Sequence, residues 1–277
     1  MLFVSDVHFG ANQADDVEAF MRAAADEVRG DALVVIAGDL TQNATDAEYD
    51  DAREFIGRLV GKGLRLVVTV GNHDLGGWRG ERLGMRARAR KRFVDLLKIV
   101  QAQPEVIAVN DVDAIHRFGA DVFVSLCSSH RGRKLFAGLA GGGRVRREQI
   151  EWCARELDRA GVDGRTQRLH LVTHRSMWSD DDDKHPRMHR HERLDVELLA
   201  PRRFSSVVGG HNHRSVVARV ALPTSGHVVT RVSVPTLSTR AHGLGQHRGW
   251  LVGALGSDHL PRYVALPPVP ASTAVHG

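Results

Sequence analysis

Six short apolar runs set the strongest limit on how this chain folds. Leu2 to Ser5, Ala32 to Ala37, Leu64 to Val70, Val122 to Cys127, Leu169 to Thr173 and Ser206 to Val208 are rich in Val, Leu and Ile, without the alternation of a half-exposed strand. Strands of that kind are covered on both faces, which needs helices or another sheet packed against them. Amphipathic stretches between the first three runs predict helices at about Asp15 to Val28 and Thr45 to Val60, the second opened by a capping box from Thr45 to Glu48. A right-handed β-α-β-α-β start follows. Further helices are expected at Met85 to Val100 and at Arg147 to Arg159, the latter with Ile150, Cys153 and Leu157 on one face. After residue 209 the strand-like runs Val216 to Val220, Val228 to Val234, Trp250 to Leu255 and Arg262 to Ala265 follow one another with turns and no helix, so this part is expected to be antiparallel. The fold class is α/β. A single domain over residues 1–266 is expected, with a disordered tail at 267–277.

The chain's 277 residues are enough to bury a core without disulfide or metal staples. No run approaches the roughly 18 apolar residues of a membrane span. Met1 leads directly into an apolar run without the basic and small-residue segments of a secretory signal, so a cytoplasmic location is expected. The two cysteines, Cys127 and Cys153, sit in apolar settings and are read as reduced, buried thiols. Lys and Arg exceed Asp and Glu by 38 to 33, which favours an anionic substrate or partner.

The chemistry stands where the runs end. Asp6 and His8 follow the first run, Asp39 the second, Asn72, His73 and Asp74 the third, and His174 the fifth, while His211 and His213 follow the sixth. Ligands collect outside the carboxyl ends of parallel strands, so residues distant in sequence can meet in one crevice there. Asp6 with His8 and His211 with His213 share a two-residue spacing that projects both side chains to one side of extended backbone. Carboxylate, amide oxygen and imidazole together suit Mn, Fe, Co, Ni or Zn better than Ca or Mg. The set is too large for one ion, so two divalent ions sharing a carboxylate bridge are expected. Such a pair lowers the pKa of a shared water and presents a bridging hydroxide to a phosphoester.

Asp-Val-His at 6–8, Gly-Asp-Leu-Thr-Gln at 38–42, Gly-Asn-His-Asp at 71–74, Thr-His-Arg at 173–175 and Gly-His-Asn-His at 210–213 resemble the calcineurin-like metallophosphoesterases, with the five blocks in that family's order. The resemblance implies two packed mixed sheets flanked by helices. It implies one metal on Asp6, His8, Asp39 and His213 and a second on Asp39, Asn72, His174 and His211, with Asp39 as the bridge. It also implies that His73 lies beside the leaving group and that Asp74 orients His73 by a hydrogen bond, an acid and orienter pair.

The fourth block departs from a His-His or His-Pro run and reads Thr173-His174-Arg175, where Arg175 is either a phosphate ligand of the substrate or a structural arginine. The expected activity is hydrolysis of a phosphodiester or phosphomonoester of a small nucleotide-like or metabolite substrate. A nuclease is the alternative. The basic run Arg79 to Arg92 and the cluster Arg131, Arg133, Lys134, Arg144, Arg146 and Arg147 would track a phosphate backbone, but they lack interleaved aromatics for base stacking. A non-catalytic scaffold is disfavoured because every ligand and His73 are present. Asp180 to Asp183 is read as a solvated loop and His185 to Glu192 as a loop able to cover the site. No third metal is assigned to His189 and His191, and His242 and His247 are not expected to face the cleft.

Overall fold

The computed structural model describes residues 1–26, 32–77, 86–129, 143–178, 188, 190–238, 247–255 and 260–266. The strands are β1 (Leu2–Val4), β2 (Leu33–Ile36), β3 (Arg65–Val68), β4 (Val106–Asn110), β5 (Asp113–Phe118), β6 (Asp121–Ser125), β7 (Arg168–Val172), β8 (Ser206–Gly209), β9 (Val216–Ala221), β10 (Val228–Ser233), β11 (Gly249–Val252) and β12 (Arg262–Ala265). The helices are α1 (Ala14–Asp26), α2 (Asp46–Gly61), α3 (Arg86–Gln101), α4 (Arg147–Arg159) and a single turn α5 (His191–Leu194) that runs into a π-helical turn, Asp195–Leu199.

Two mixed sheets pack face to face, in the orders β12-β11-β1-β2-β3 and β4-β5-β6-β7-β8-β10-β9. Strands β1, β2 and β3 are parallel neighbours joined by α1 and α2, as the sequence predicts. In the second sheet β6, β7 and β8 are parallel. Strands β9 and β10 form an antiparallel pair, as do β11 and β12, while β10 also lies parallel to β8. Strand β11 runs antiparallel to β1, so residues from the end of the chain complete the first sheet.

The missing alternation has a direct explanation in the packing. Leu33 and Val35 of β2 point into an inter-sheet core with Phe3, Val67, Phe123, Val172 and Val208, while Val34 and Ile36 pack with α1 and α2 residues such as Phe20 and Ile56. A third core lies outside the second sheet, where Ile150, Cys153 and Leu157 of α4 meet Leu169 and Leu171 of β7. Helix α2 opens as read: Glu48 N donates to Thr45 Oγ1 at 3.3 Å and Thr45 N to Glu48 Oε2 at 3.1 Å. Cys127 and Cys153 are free and buried, and burial pushes the Cys127 thiol up to about 12.

The β4–β5 hairpin has no counterpart in the sequence reading. Strand β4 is an edge strand with Ile107 and Val109 exposed, so it carries no two-sided apolar run. Its turn holds Asp111 at φ 60°, a conformation Asp tolerates better than most residues. Among the described residues no helix is long and apolar enough to cross a membrane.

Candidate metal centre

The chain segments that follow β1, β2, β3, β7 and β8 converge at one edge of the two sheets. Backbone hydrogen bonds fasten them: Asp6 N donates to Gly38 O (2.9 Å), His8 N to Asp39 O (3.1 Å) and Gly210 N to His174 O (3.0 Å). The turns are sharp. Asp6, His8, Asp39, His211 and His213 all have φ between 53° and 69°, and they are five of the nine described non-glycine residues with positive φ. Each such residue costs on the order of 1–3 kcal/mol and persists where surrounding contacts impose it. The motif glycines are needed for closeness. A Cβ on Gly71 would lie 2.0 Å from Asp39 Oδ1, and one on Gly210 would lie 1.9 Å from Ser5 Oγ and 2.8 Å from Asp6 Oδ2.

The predicted ligands do come together. Asp6 Oδ1 lies 3.2 Å from His213 Nε2 and 3.7 Å from His8 Nε2, while Asp6 Oδ2 accepts from Ser5 Oγ (2.5 Å) and His211 N (3.1 Å). Asp39 Oδ2 lies 3.0 Å from His174 Nε2, and Asp39 Oδ1 accepts from His73 N at 2.7 Å. Three sets of donor atoms are each close enough to hold one ion: Asp6, His8 and His213; His8, Asp39 and His73; and Asp39, His174 and His211. His8 and Asp39 are each common to two of them, Asp39 being the shared carboxylate. Asp6, His8, Asp39 and His174 are buried, and Asn72, His73, His211 and His213 are half-buried at the mouth.

Burial opposes charge on Asp39, yet the charges of His174 and His73 hold its carboxyl well below the usual range. Asp6 is likewise held low, mainly by His213, against its burial. Burial acts against a proton on His174, but the nearby Asp39 charge raises it to about 9. His8 is also raised, by the Asp6 and Asp39 carboxylates working against burial. Buried carboxylates and imidazoles crowded in this way ask for added positive charge.

These residues fit a divalent ion by a second test, the direction of their lone pairs. His174 Nδ1 donates to Ala37 O at 2.8 Å, which leaves Nε2 facing Asp39 with no hydrogen-bond partner. A backbone carbonyl on the remote nitrogen is the usual way of aiming a ligating imidazole. Two lone pairs 3.0 Å apart repel unless a proton or a cation lies between them. Ligand atoms each about 2.1 Å from one ion, at right angles, are about 3.0 Å apart. His8 Nδ1 and His213 Nδ1 are also buried without a partner.

One expected role changes. Asp74, expected to orient His73, instead accepts from Asp39 N (3.0 Å), Thr41 N (2.9 Å), Thr41 Oγ1 (3.2 Å) and Gly71 N (2.8 Å). It therefore pins the Asp39 loop to the Asn72 loop, and four donors leave it no capacity to spare for His73. Burial and the Asp39 charge push its carboxyl up to about 6. The orienting group is the Gln42 carbonyl, which accepts from His73 Nδ1 at 2.7 Å. A backbone oxygen leaves no side-chain signature, so the sequence reading missed it even inside the 38–42 block.

Arg175 is buried, with its guanidinium among the predicted ligands: Nη1 lies 3.0 Å from His211 Nε2, and Nη2 donates to Asn72 Oδ1 at 3.4 Å. Burial and this arginine hold His211 well below the ordinary imidazole pKa. His191 is buried away from the group and contacts the Met188 carbonyl. His247 N donates to His213 O at 2.8 Å, and its Nδ1 accepts from Ser215 N at 3.0 Å. His189, His242, Arg131, Arg133, Lys134 and residues 180–187 lie outside the described residues.

A two-sheet α/β fold with Asp and His donors gathered at the strand ends defines a metal-dependent hydrolase of phosphoric esters. The chain belongs to the calcineurin-like phosphoesterase family, whose sequence model matches residues 1–215. No curated protein sequence matches it significantly. Its fold is similar to that of a dimetal phosphatase from Danio rerio, with 12% identity, TM-score 0.55 and 90% of each chain covered. It is also similar to a purple acid phosphatase from yellow lupin (13% identity, TM-score 0.55, 90% of this chain and 48% of that one). A 5'-nucleotidase precursor from Thermus thermophilus shares the fold as well, at 17% identity and TM-score 0.50, over 95% of this chain and 52% of that one.

Proposed function

We propose that the protein is a dinuclear phosphoesterase for a small nucleotide-like or metabolite phosphoester. One ion is assigned to Asp6, His8, Asp39 and His213 and the other to Asp39, Asn72, His174 and His211. The observation that carries the reading is Asp39, the one carboxylate common to two of the donor groups, its backbone N held by Asp74, which also accepts from Gly71 N. When bound, ions of this class neutralise phosphate oxygens and make water nucleophilic near neutral pH.

The chain's own residues supply the rest. His73, tied through Nδ1 to Gln42 O and ring-to-edge against His8 at 4.9 Å, is half-buried at the mouth, where it is the group assigned to pass a proton to a departing oxygen. Arg175 is suited to a phosphate oxygen in two-pronged fashion. It contacts His211 and Asn72, two residues assigned to the second ion, so an ion held there would compete with the guanidinium for them and leave it available to a phosphate oxygen.

The described part of the basic run does not favour a nucleic-acid groove. Arg88 and Arg92 pair with Asp46, Arg90 with Asp111 and Lys91 with Asp95. Charges neutralised within the fold release few counterions from a phosphate backbone. The deciding experiment is hydrolysis of bis-(4-nitrophenyl) phosphate beside 4-nitrophenyl phosphate after Mn is added to metal-stripped protein, with Asp39→Asn as control. Turnover of either ester by the native chain and not by the control supports the reading. Cleavage of DNA or RNA alone, at the same metal load, would move it to the nuclease.

A further inference from the structure

Five arginines, Arg144, Arg146, Arg147, Arg190 and Arg193, line an open cavity of about 430 Å³, within the range of small-molecule sites. No predicted ligand lines the cavity, but the segments that form its walls reach the residues just after His174. A Cβ on Gly143 would lie 2.5 Å from Arg175 Cδ, so the segment entering the cavity at Arg144 presses directly on the arginine that touches His211. On the other wall, Met188 N donates to Ser176 O at 2.8 Å, two residues before Arg190. Both arginine-bearing segments are thus fastened to the stretch that follows His174.

The fold gives this cluster little counter-charge. Arg147 and Arg193 pair with Glu151 and Glu197 at 2.7 and 3.0 Å, so the uncompensated charge sits on the other arginines. Arg144 and Arg190 have no carboxylate partner among the described residues, Arg146 feels the charge of Asp113 without an ion pair to it, and Arg144 Nε is buried without a hydrogen bond. Arg146 and Arg147 stand at the start of α4, where the helix dipole is already positive and a carboxylate would be the stabilising choice. Arg146 at the N-cap has no acceptor to offer the first N–H groups of the helix. Glu148 is the one acidic residue of the lining. Guanidinium groups collected against a helix dipole are a costly arrangement for stability and a strong one for a phosphate.

We propose that this cavity holds a second phosphate of the substrate, so that the preferred substrates are small bisphosphates with one phosphate ester at the metal centre and the other in the arginine cavity. The proposal rests on the phosphoesterase reading above, and two measurements separate their fates. The first is calorimetric titration of metal-stripped protein with sodium pyrophosphate. The native chain should bind at least tenfold more tightly than Arg144→Gln/Arg190→Gln, and Glu148→Gln about threefold more tightly than native, with thermal melts confirming that each variant folds. The second is inhibition of 4-nitrophenyl phosphate hydrolysis in Mn-loaded native protein and the double variant. Fructose 1,6-bisphosphate should inhibit the native chain at least tenfold better than fructose 6-phosphate, and the variant should lose that advantage.

Equal inhibition by the two sugars, or an advantage that survives in the variant, overturns the proposal. So does a single-stranded oligonucleotide that binds far more tightly than pyrophosphate and is released by the same substitutions, which would make the cavity part of a nucleic-acid groove. Absent hydrolysis with pyrophosphate binding intact would sink the phosphoesterase reading and the bisphosphate assignment together, and leave the cavity as an anion site.

Discussion

Strand β7 brings two buried histidines to opposite fates. His170, inside the strand, is saturated by protein: Nδ1 lies 2.8 Å from Ser206 Oγ and Nε2 2.9 Å from Asp121 Oδ1, while Arg168 closes on both oxygens of the same carboxylate at 2.6 and 2.7 Å. His174, two residues past the strand's end, also faces a carboxylate, but its Nε2 has no hydrogen bond, and Arg175 next to it leans on His211 rather than on Asp39. Both regions hold a buried His–Asp pair. At His170 every partner is in the chain and the backbone is a regular ladder. Around His174 the charge balance is incomplete and five backbone positions are strained. Incomplete pairing within a strained frame distinguishes a site built for an external cation from a polar lock between strands.

That contrast can be broken first at Asp39. Asp39→Asn should lower kcat/KM on the order of a thousandfold, about 4 kcal/mol of transition-state stabilisation. Plasma mass spectrometry should find both ions depleted. Retention of two ions per chain would remove Asp39 from the bridge. His73→Asn comes next, with turnover down about a hundredfold and metal content unchanged. If its sites emptied instead, His73 would belong among the ligands, where its place in the His8–Asp39 group already makes it a candidate.

At the other pair the currency is stability. His170→Leu leaves Asp121 with Arg168 alone, and it should cost about 1–3 kcal/mol in denaturant unfolding. Metal content and turnover should stay at native values, and a loss of metal would erase the distinction drawn here.

The smallest effect is in the pH dependence. Burial holds His170 below the unfolded imidazole pKa, against the pull of Asp121, so the unfolded chain gains its proton first. Stability from this group is complete above about pH 6.5 and declines as pH falls below it. Burial would raise Asp121, but the hydrogen bonds from His170 and Arg168 outweigh it and hold the carboxyl at about 2. Its share is complete above about pH 4 and is lost as pH falls toward 2. The stability gap between the native chain and His170→Leu should therefore narrow between pH 6.5 and 4, and a gap constant with pH would refute the neutral assignment.

Much of this was legible in the chain. The two-sided apolar runs led to buried strands, Thr45 and Glu48 fixed the start of α2, and the five polar blocks at run ends led to residues that do meet. The β4–β5 hairpin was not legible, because an edge strand with one wet face has no continuous apolar run. Asp74 looked like the partner of His73 because it is adjacent in sequence. In space its carboxylate turns inward to three backbone N–H groups and the Thr41 hydroxyl, and the Gln42 carbonyl takes the imidazole.

By itself, then, the sequence determined which side chains carry the chemistry and that they stand at strand ends, because both are local properties written in residue type and hydrophobic period. Only the tertiary structure decided which donors face each other, where Arg175 points and that the arginines at 144–147 and 190–193 line one cavity. Those outcomes depend on packing between segments far apart in the chain, and on hydrogen bonds to backbone groups that every residue carries and no residue name reveals.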